Sequence, residues 1–135
     1  MAMLRSLLFV PGNKENMLEK ALTFRPDAFI PDMEDSVPTA EKANARDVIK
    51  SFLPKLADSG VPVIPRVNSL DTEWIEADLA AVVGPHIHGI SVGKVDVPDD
   101  IATISDLISE LEKKAGIATG TLKLIPVSYT HLTLP

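Results

Sequence analysis

Short apolar runs that alternate with helix-period segments constrain this 135-residue chain more than any other feature. "RSLLFVP" (residues 5–11), "DAFIPD" (27–32), "VPVIPRVN" (61–68), "HGISVGKV" (88–95) and "LKLIPV" (122–127) read as strands. Between them lie helical patterns. Met17, Leu18, Ala21 and Leu22 share one face, with Asn13 as the expected N-cap. Ala45, Val48, Ile49, Phe52 and Leu56 share another, with Thr39 as cap, Glu41 in the first turn, and Pro54 expected to kink or end the helix. "DTEWIEADLAAVV" follows, with Asp71 as cap. Ile101, Ile104, Leu107, Ile108 and Leu111 form the last stripe, opened by acids, closed by lysines and ended by Gly116.

Strands joined through single helices imply right-handed crossovers and a parallel sheet. The strands are continuous apolar runs, as a helix-covered sheet requires. Two α/β folds fit: a doubly wound open sheet and a (β/α)8 TIM barrel. "VPGNKEN" at the first β–α junction has a single glycine and neither phosphate-binding signature, which weighs against the nucleotide-binding open sheet. A barrel takes roughly 250 residues, so this chain would supply about half of one: five strands and four helices.

Composition narrows the class. The chain is 45% hydrophobic, so it builds a core. Its net charge of −6 argues against non-specific binding to nucleic acid or anionic membranes. It has no cysteine, and no apolar run long enough for a signal peptide or membrane span; a cytoplasmic location fits. The final stretch, residues 127–135, has no charge and matches nothing before it. It reads as the translation of a sequencing adapter, so Tyr129 and His131 are given no functional weight.

The polar residues collect where strands end. Gly12 and Asn13 follow the first strand; Asp32, Glu34 and Asp35 the second; Arg66 and Asn68 the third; Lys94 and Asp96 the fourth. In parallel α/β folds this edge binds ligands. The acids suit a hard cation, held directly or through water, or they suit hydrogen bonds that orient Arg66 or Lys94. They equally suit a plain turn that offsets a helix dipole. Arg66 suits a substrate carboxylate, by its two parallel hydrogen bonds, or a surface ion pair. His86 and His88 precede the fourth strand, on the far side from the acids, and read as structural or surface residues. Trp74 reads as packing and "PGN" as a turn.

Four of these pieces together, "RSLLFVPGN", "DMEDSVPTAEKANAR", "PRVNS" and "GKVD", resemble the citrate lyase beta-subunit family, which includes malyl-CoA lyase. The resemblance covers residues 4–126. It implies a (β/α)8 barrel and Mg²⁺-dependent carbon–carbon lyase chemistry. It matches Arg66 to the arginine that binds the substrate's carboxylate end. It matches Asp32, Glu34 and Asp35 to the acidic loop beside the metal, and Lys94 to the lysine after the fourth strand. Phe9 and Lys20 fall near contacts to substrate or coenzyme A. Pro31, Gly93 and Asp96 depart from the family pattern and point to altered substrate choice. The principal metal ligands of the family, a glutamate after the fifth strand and an aspartate after the sixth, are expected beyond Pro126.

The function expected of the intact protein is therefore cleavage of a β-hydroxyacyl thioester, citryl-CoA or malyl-CoA in type, to a keto acid and an acyl thioester. Its partners would be small molecules, with no nucleic acid or membrane, in a homo-oligomer. The general base is unassigned. Two other readings stand beside this one: a non-catalytic binding protein that kept the barrel, and a metal-dependent aldolase of free hydroxy-keto acids. The chain as it stands is expected to be inactive, and prone to self-association through an open sheet edge.

Overall fold

A computed structural model describes residues 6–95 and 97–127. Asp96, and the tail after Val127, lie outside the described residues. The elements run β1 (Leu7–Pro11), α1 (Glu15–Ala21), β2 (Ala28–Asp32), α2 (Lys42–Asp58), β3 (Arg66–Val67), α3 (Ile75–Val82), β4 (Gly89–Gly93), α4 (Pro98–Ala115) and β5 (Lys123–Val127). A 3₁₀ turn, Thr39–Glu41, leads into α2.

All neighbouring strands pair in parallel, in the order β1-β2-β3-β4-β5. This order decides between the two expected folds. A doubly wound sheet reverses its strand order at a switch point; a barrel adds each strand beside the last. The chain forms the partial-barrel arrangement.

Strand alternation divides the apolar residues between two faces. Phe29, Val63, Val67, Ile90 and Val92 join the helix residues Leu18, Ile49, Leu56, Leu79, Ile104 and Ile108 in one buried cluster. Ala28, Ile30 and Ile64 form a separate cluster on the other face. In register with that second face are Leu7 and Phe9 on β1, paired with Ala28 and Ile30. Ile125 on β5 pairs with Ser91, which pairs with Arg66. Leu7, Phe9 and Ile125 are exposed at 46%, 49% and 37%, so this face is apolar but incompletely covered.

Close approaches fix two glycines. A Cβ at Gly12 would collide with Ile49 Cδ1 and lie 2.6 Å from the Asp32 carbonyl oxygen. One at Gly89 would lie 2.5 Å from the Lys123 carbonyl oxygen, across the β4–β5 seam.

Several local expectations are corrected. Asn13, Thr39 and Asp71 do not cap helices: the N-cap positions are Lys14, Glu41 and Trp74, without side-chain cap bonds. Asp71 instead accepts from Ser69 Oγ at 2.5 Å. Pro54 neither ends nor replaces a turn of α2, which continues to Asp58. Both Pro54 and Lys50, whose carbonyl loses its partner, are exposed, so water can serve that carbonyl. The third strand shrinks to two residues because Pro62 and Pro65 lack N–H groups, although their carbonyls accept from Phe29 and Ser91. Met17 and Ile101 lie on the exposed sides of their helices. Gly116 does end α4, in the left-handed conformation at φ 79°.

Candidate functional site

The site forms where β2 and β3 end. Asp32 and Arg66 are register partners, so both side chains rise from the same face. Arg66 donates from Nε to Asp32 Oδ1 at 2.8 Å and from Nη2 to Oδ2 at 2.7 Å. Asp32 Oδ1 also accepts from the Glu34 N–H at 2.9 Å. Oδ2 accepts from the Ser36 N–H at 2.9 Å and the Ser36 hydroxyl at 2.5 Å. Five donors thus converge on one carboxylate that is 1% exposed.

The electrostatics follow from these bonds. Burial pushes the Asp32 carboxyl up, but Arg66, Ser36 and the two loop N–H groups outweigh it and hold it below its ordinary value. For Arg66, burial disfavours the charge, while Asp32, Glu34 and Asp35 more than restore it. Glu34 Oε1 lies 3.8 Å from Arg66 Nε, and the largely exposed Asp35 has Oδ2 3.9 Å from Nη1. The Phe9 ring covers one side of the guanidinium, with its centroid 5.0 Å from Cζ.

A second layer, missed in the sequence, supports the first. Lys42 is 7% exposed. Its ammonium donates to the Met33 and Glu34 carbonyls at 3.0 and 2.8 Å, and to Asn68 Oδ1 at 2.8 Å. The Asn68 amide donates to Met33 O at 3.0 Å and Asp78 Oδ2 at 2.6 Å. Arg46 Nε closes the chain on Asp78 Oδ1 at 2.9 Å. Burial lowers the Lys42 ammonium below its ordinary value, against the pull of Asp32, Asp78, Glu34 and Asp35. Trp74, half-buried, places its ring centroid 5.4 Å from Lys42 Nζ.

Of the residues singled out by sequence, Asp32, Glu34, Asp35, Arg66 and Phe9 come together. Lys94 stands exposed after β4 with a left-handed φ of 55°, near Asp71, whose carboxyl is lowered first by Ser69 and also by Lys94. Lys20 lies exposed in the last turn of α1. His86 and His88 are exposed and precede β4, at the edge away from the acids. The signal for Lys42 was its position: a lysine opening a helix opposes the dipole, so a buried countercharge was to be sought.

The acids do not make a metal centre by themselves. Among the described residues no three His, Cys, Asp or Glu side chains converge as metal ligands. Both Asp32 oxygens are already committed to donors. Among the described residues, Asp32 is thus spent on supporting Arg66, with Glu34 and Asp35 at ion-pair distance from the same guanidinium.

A parallel, sequentially ordered half sheet with a charged cluster at its C-terminal edge defines a barrel-type α/β chain, and that edge is where such folds bind ligands. The sequence matches the HpcH/HpaI aldolase/citrate lyase family over residues 5–127, and the chain belongs to that family. It is 43% identical over 117 residues to a (3S)-malyl-CoA thioesterase of Cereibacter sphaeroides, covering 86% of this chain and 41% of that protein. It is 36% identical over 121 residues to the citrate lyase subunit beta of Escherichia coli, covering 90% of this chain and 40% of that protein. The chain thus spans about two-fifths of the curated relatives it matches.

Solved structures show the same fold. A Haloferax volcanii malate synthase in complex with magnesium and glyoxylate superposes with a TM-score of 0.82 at 20% identity, over 92% of this chain and 42% of that one. A Mycobacterium tuberculosis citrate lyase beta subunit, complexed with oxaloacetate and magnesium, gives 0.62 at 20% identity, over 89% and 45%. No helix among the described residues is long and apolar enough to cross a membrane.

Proposed function

We propose that the full-length protein containing this stretch cleaves the carbon–carbon bond of a β-hydroxyacyl thioester, citryl-CoA or malyl-CoA in type, giving a keto acid and an acyl thioester. The observation that carries this reading is the Arg66 guanidinium. Asp32 fixes its Nε and one Nη2 proton, and the remaining Nη1–Nη2 edge, with the largely exposed Asp35 3.9 Å from Nη1, is the one a bidentate substrate carboxylate would take at the strand-end rim. Phe9 shields one face of the cation, which strengthens the contact by excluding water.

Arg66 would hold the substrate carboxylate, with Lys94 a further cationic contact on the same edge and Lys20 an outlying one on α1. The hydroxyl proton leaves to a base, the carbon–carbon bond breaks, and its electron pair moves onto the thioester as an enolate that is then protonated. No described residue is assigned as that base. We include Mg²⁺ in the proposal as the cofactor of the full-length protein, with its principal ligands outside the described residues, because both Asp32 oxygens are already committed to donors.

The relative at 43% identity favours a second reading, hydrolysis of the same kind of thioester. The two differ in products. Incubating full-length protein with malyl-CoA or citryl-CoA, with and without Mg²⁺, and measuring free thiol and keto acid separates them. A lyase releases keto acid without thiol; a thioesterase releases thiol without keto acid. No consumption of either thioester would remove both.

A further inference from the structure

We propose that Lys42 is a positioning residue that sets the Asp32–Arg66 pair, and with it the direction in which Arg66 faces the rim. The consequence for substrate rests on the function proposed above; the clamp itself rests on geometry alone. An ammonium has three protons, and each goes to a different acceptor: Met33 O, Glu34 O and Asn68 Oδ1. Two of those acceptors belong to the loop after β2 and one to the segment after β3. Lys42 therefore ties together the two strand ends that carry Asp32 and Arg66.

The acceptors are themselves fixed. Asn68 presents its oxygen to Lys42 because its amide is committed to Met33 O and Asp78 Oδ2. Asp78 also accepts from the Asn68 N–H at 3.0 Å and is held by Arg46. Met33 closes the circuit, since its N–H donates to Arg66 O at 2.9 Å. Removing the ammonium takes the charged donor from both loop carbonyls, leaving Met33 O with the Asn68 amide and Glu34 O with the Val37 N–H at 3.2 Å, and carbonyls so weakened turn toward water when the backbone allows it. The loop would then withdraw the Glu34 and Ser36 N–H groups from Asp32, and Asp32 would lose the orientation that grips Arg66.

The test uses the 135-residue chain labelled with ¹⁵N, comparing wild type, Lys42→Met and Lys42→Arg. The readouts are water exchange of the Arg66 Nε–H and of the Glu34 and Ser36 amides. Methyl resonances of Ile49 and Leu79 report whether the core is intact. We expect Lys42→Met, with native core methyls, to speed all three exchanges about tenfold or more, a factor equivalent to about 1.4 kcal/mol, and Lys42→Arg to recover much of that loss. Native exchange in a folded Lys42→Met chain would overturn the proposal.

Should Lys42→Met not fold, the wild-type protein decides. A slowly exchanging Lys42 ammonium resonance with couplings to the Met33 and Glu34 carbonyl carbons supports the clamp, and a freely exchanging ammonium overturns it. No substrate enters these measurements, so a failure of the clamp and a failure of the proposed lyase chemistry register in separate experiments.

Discussion

Both oxygens of Asp32 are held by the guanidinium of its register partner Arg66, at 2.8 and 2.7 Å, across the seam between β2 and β3. Each residue is therefore the other's orienting group. The pair is buried enough, at 2% and 13% side-chain exposure, that losing one partner strands the other.

Asp32→Asn keeps the shape and removes the charge. We expect a loss of about 3 kcal/mol in unfolding free energy, the usual scale for breaking a buried pair. Urea denaturation of the two proteins checks this; a change below about 1 kcal/mol would show the pair to be effectively solvent-screened.

The same carboxyl sets an acid limit. Its folded value lies below 3.8, the unfolded value. A depressed carboxyl adds stability that is complete above its unfolded value and is lost as pH falls through the folded one. Thermal melts should therefore fall more steeply below pH 3.8 in the wild type than in Asp32→Asn, with the difference between them constant at higher pH.

Arg66→Lys should be tolerated for folding but not for recognition. A lysine is a point charge and cannot keep Asp32 bidentate while offering a second edge to a carboxylate. In the full-length protein we expect the KM for the thioester to rise about tenfold or more. An unchanged KM would remove Arg66 from substrate binding.

Gly12→Ala tests the floor of the site. The new methyl would collide with Ile49 Cδ1 and crowd the Asp32 carbonyl, which accepts from the Gly12 N–H at 2.8 Å. The expected cost is about 1–3 kcal/mol by chemical denaturation. The Ser36 amide should exchange faster, because β2 must move.

Glu112 is 1% exposed and accepts from the Gly120 and Leu122 N–H groups at 3.0 and 2.9 Å. Glu112→Ala strands the buried Leu122 N–H and leaves the exposed Gly120 N–H to water, at a cost of about 1–3 kcal/mol. Glu112→Gln keeps one acceptor oxygen and should cost roughly half as much. Equal losses in the two variants would mean that volume, not hydrogen bonding, is what Glu112 contributes.

The strand-and-helix alternation was legible because each apolar run and each helical stripe is local. Leu18, Ile49, Phe52, Ile104 and Ile108 are buried where periodicity placed them. The loop acids and Arg66 were legible as a group, since parallel strands deliver their ends to one edge. What the acids do there was not. Spacing could not tell that Asp32 spends both oxygens on Arg66, a contact 34 residues apart. The caps failed for a related reason: Asp71 found a nearer partner in Ser69. The polar buttress of Lys42, Asn68, Asp78 and Arg46 joins α2, α3 and the end of β3, so no single window contains it. Glu112 was closer to view. It continues the Ile104–Ile108 stripe by one turn, and an acid on an apolar stripe asks for a buried partner.

The order β1-β2-β3-β4-β5 repeats the order of synthesis. Each strand that leaves a ribosome finds its neighbour already made and has no finished pair to reopen. Assembly can keep pace with translation, one β–α unit at a time. The Asp32–Arg66 grip becomes available as soon as the third unit emerges, before β4 and β5 exist, so the rim can set its first charged pair while the sheet is still growing.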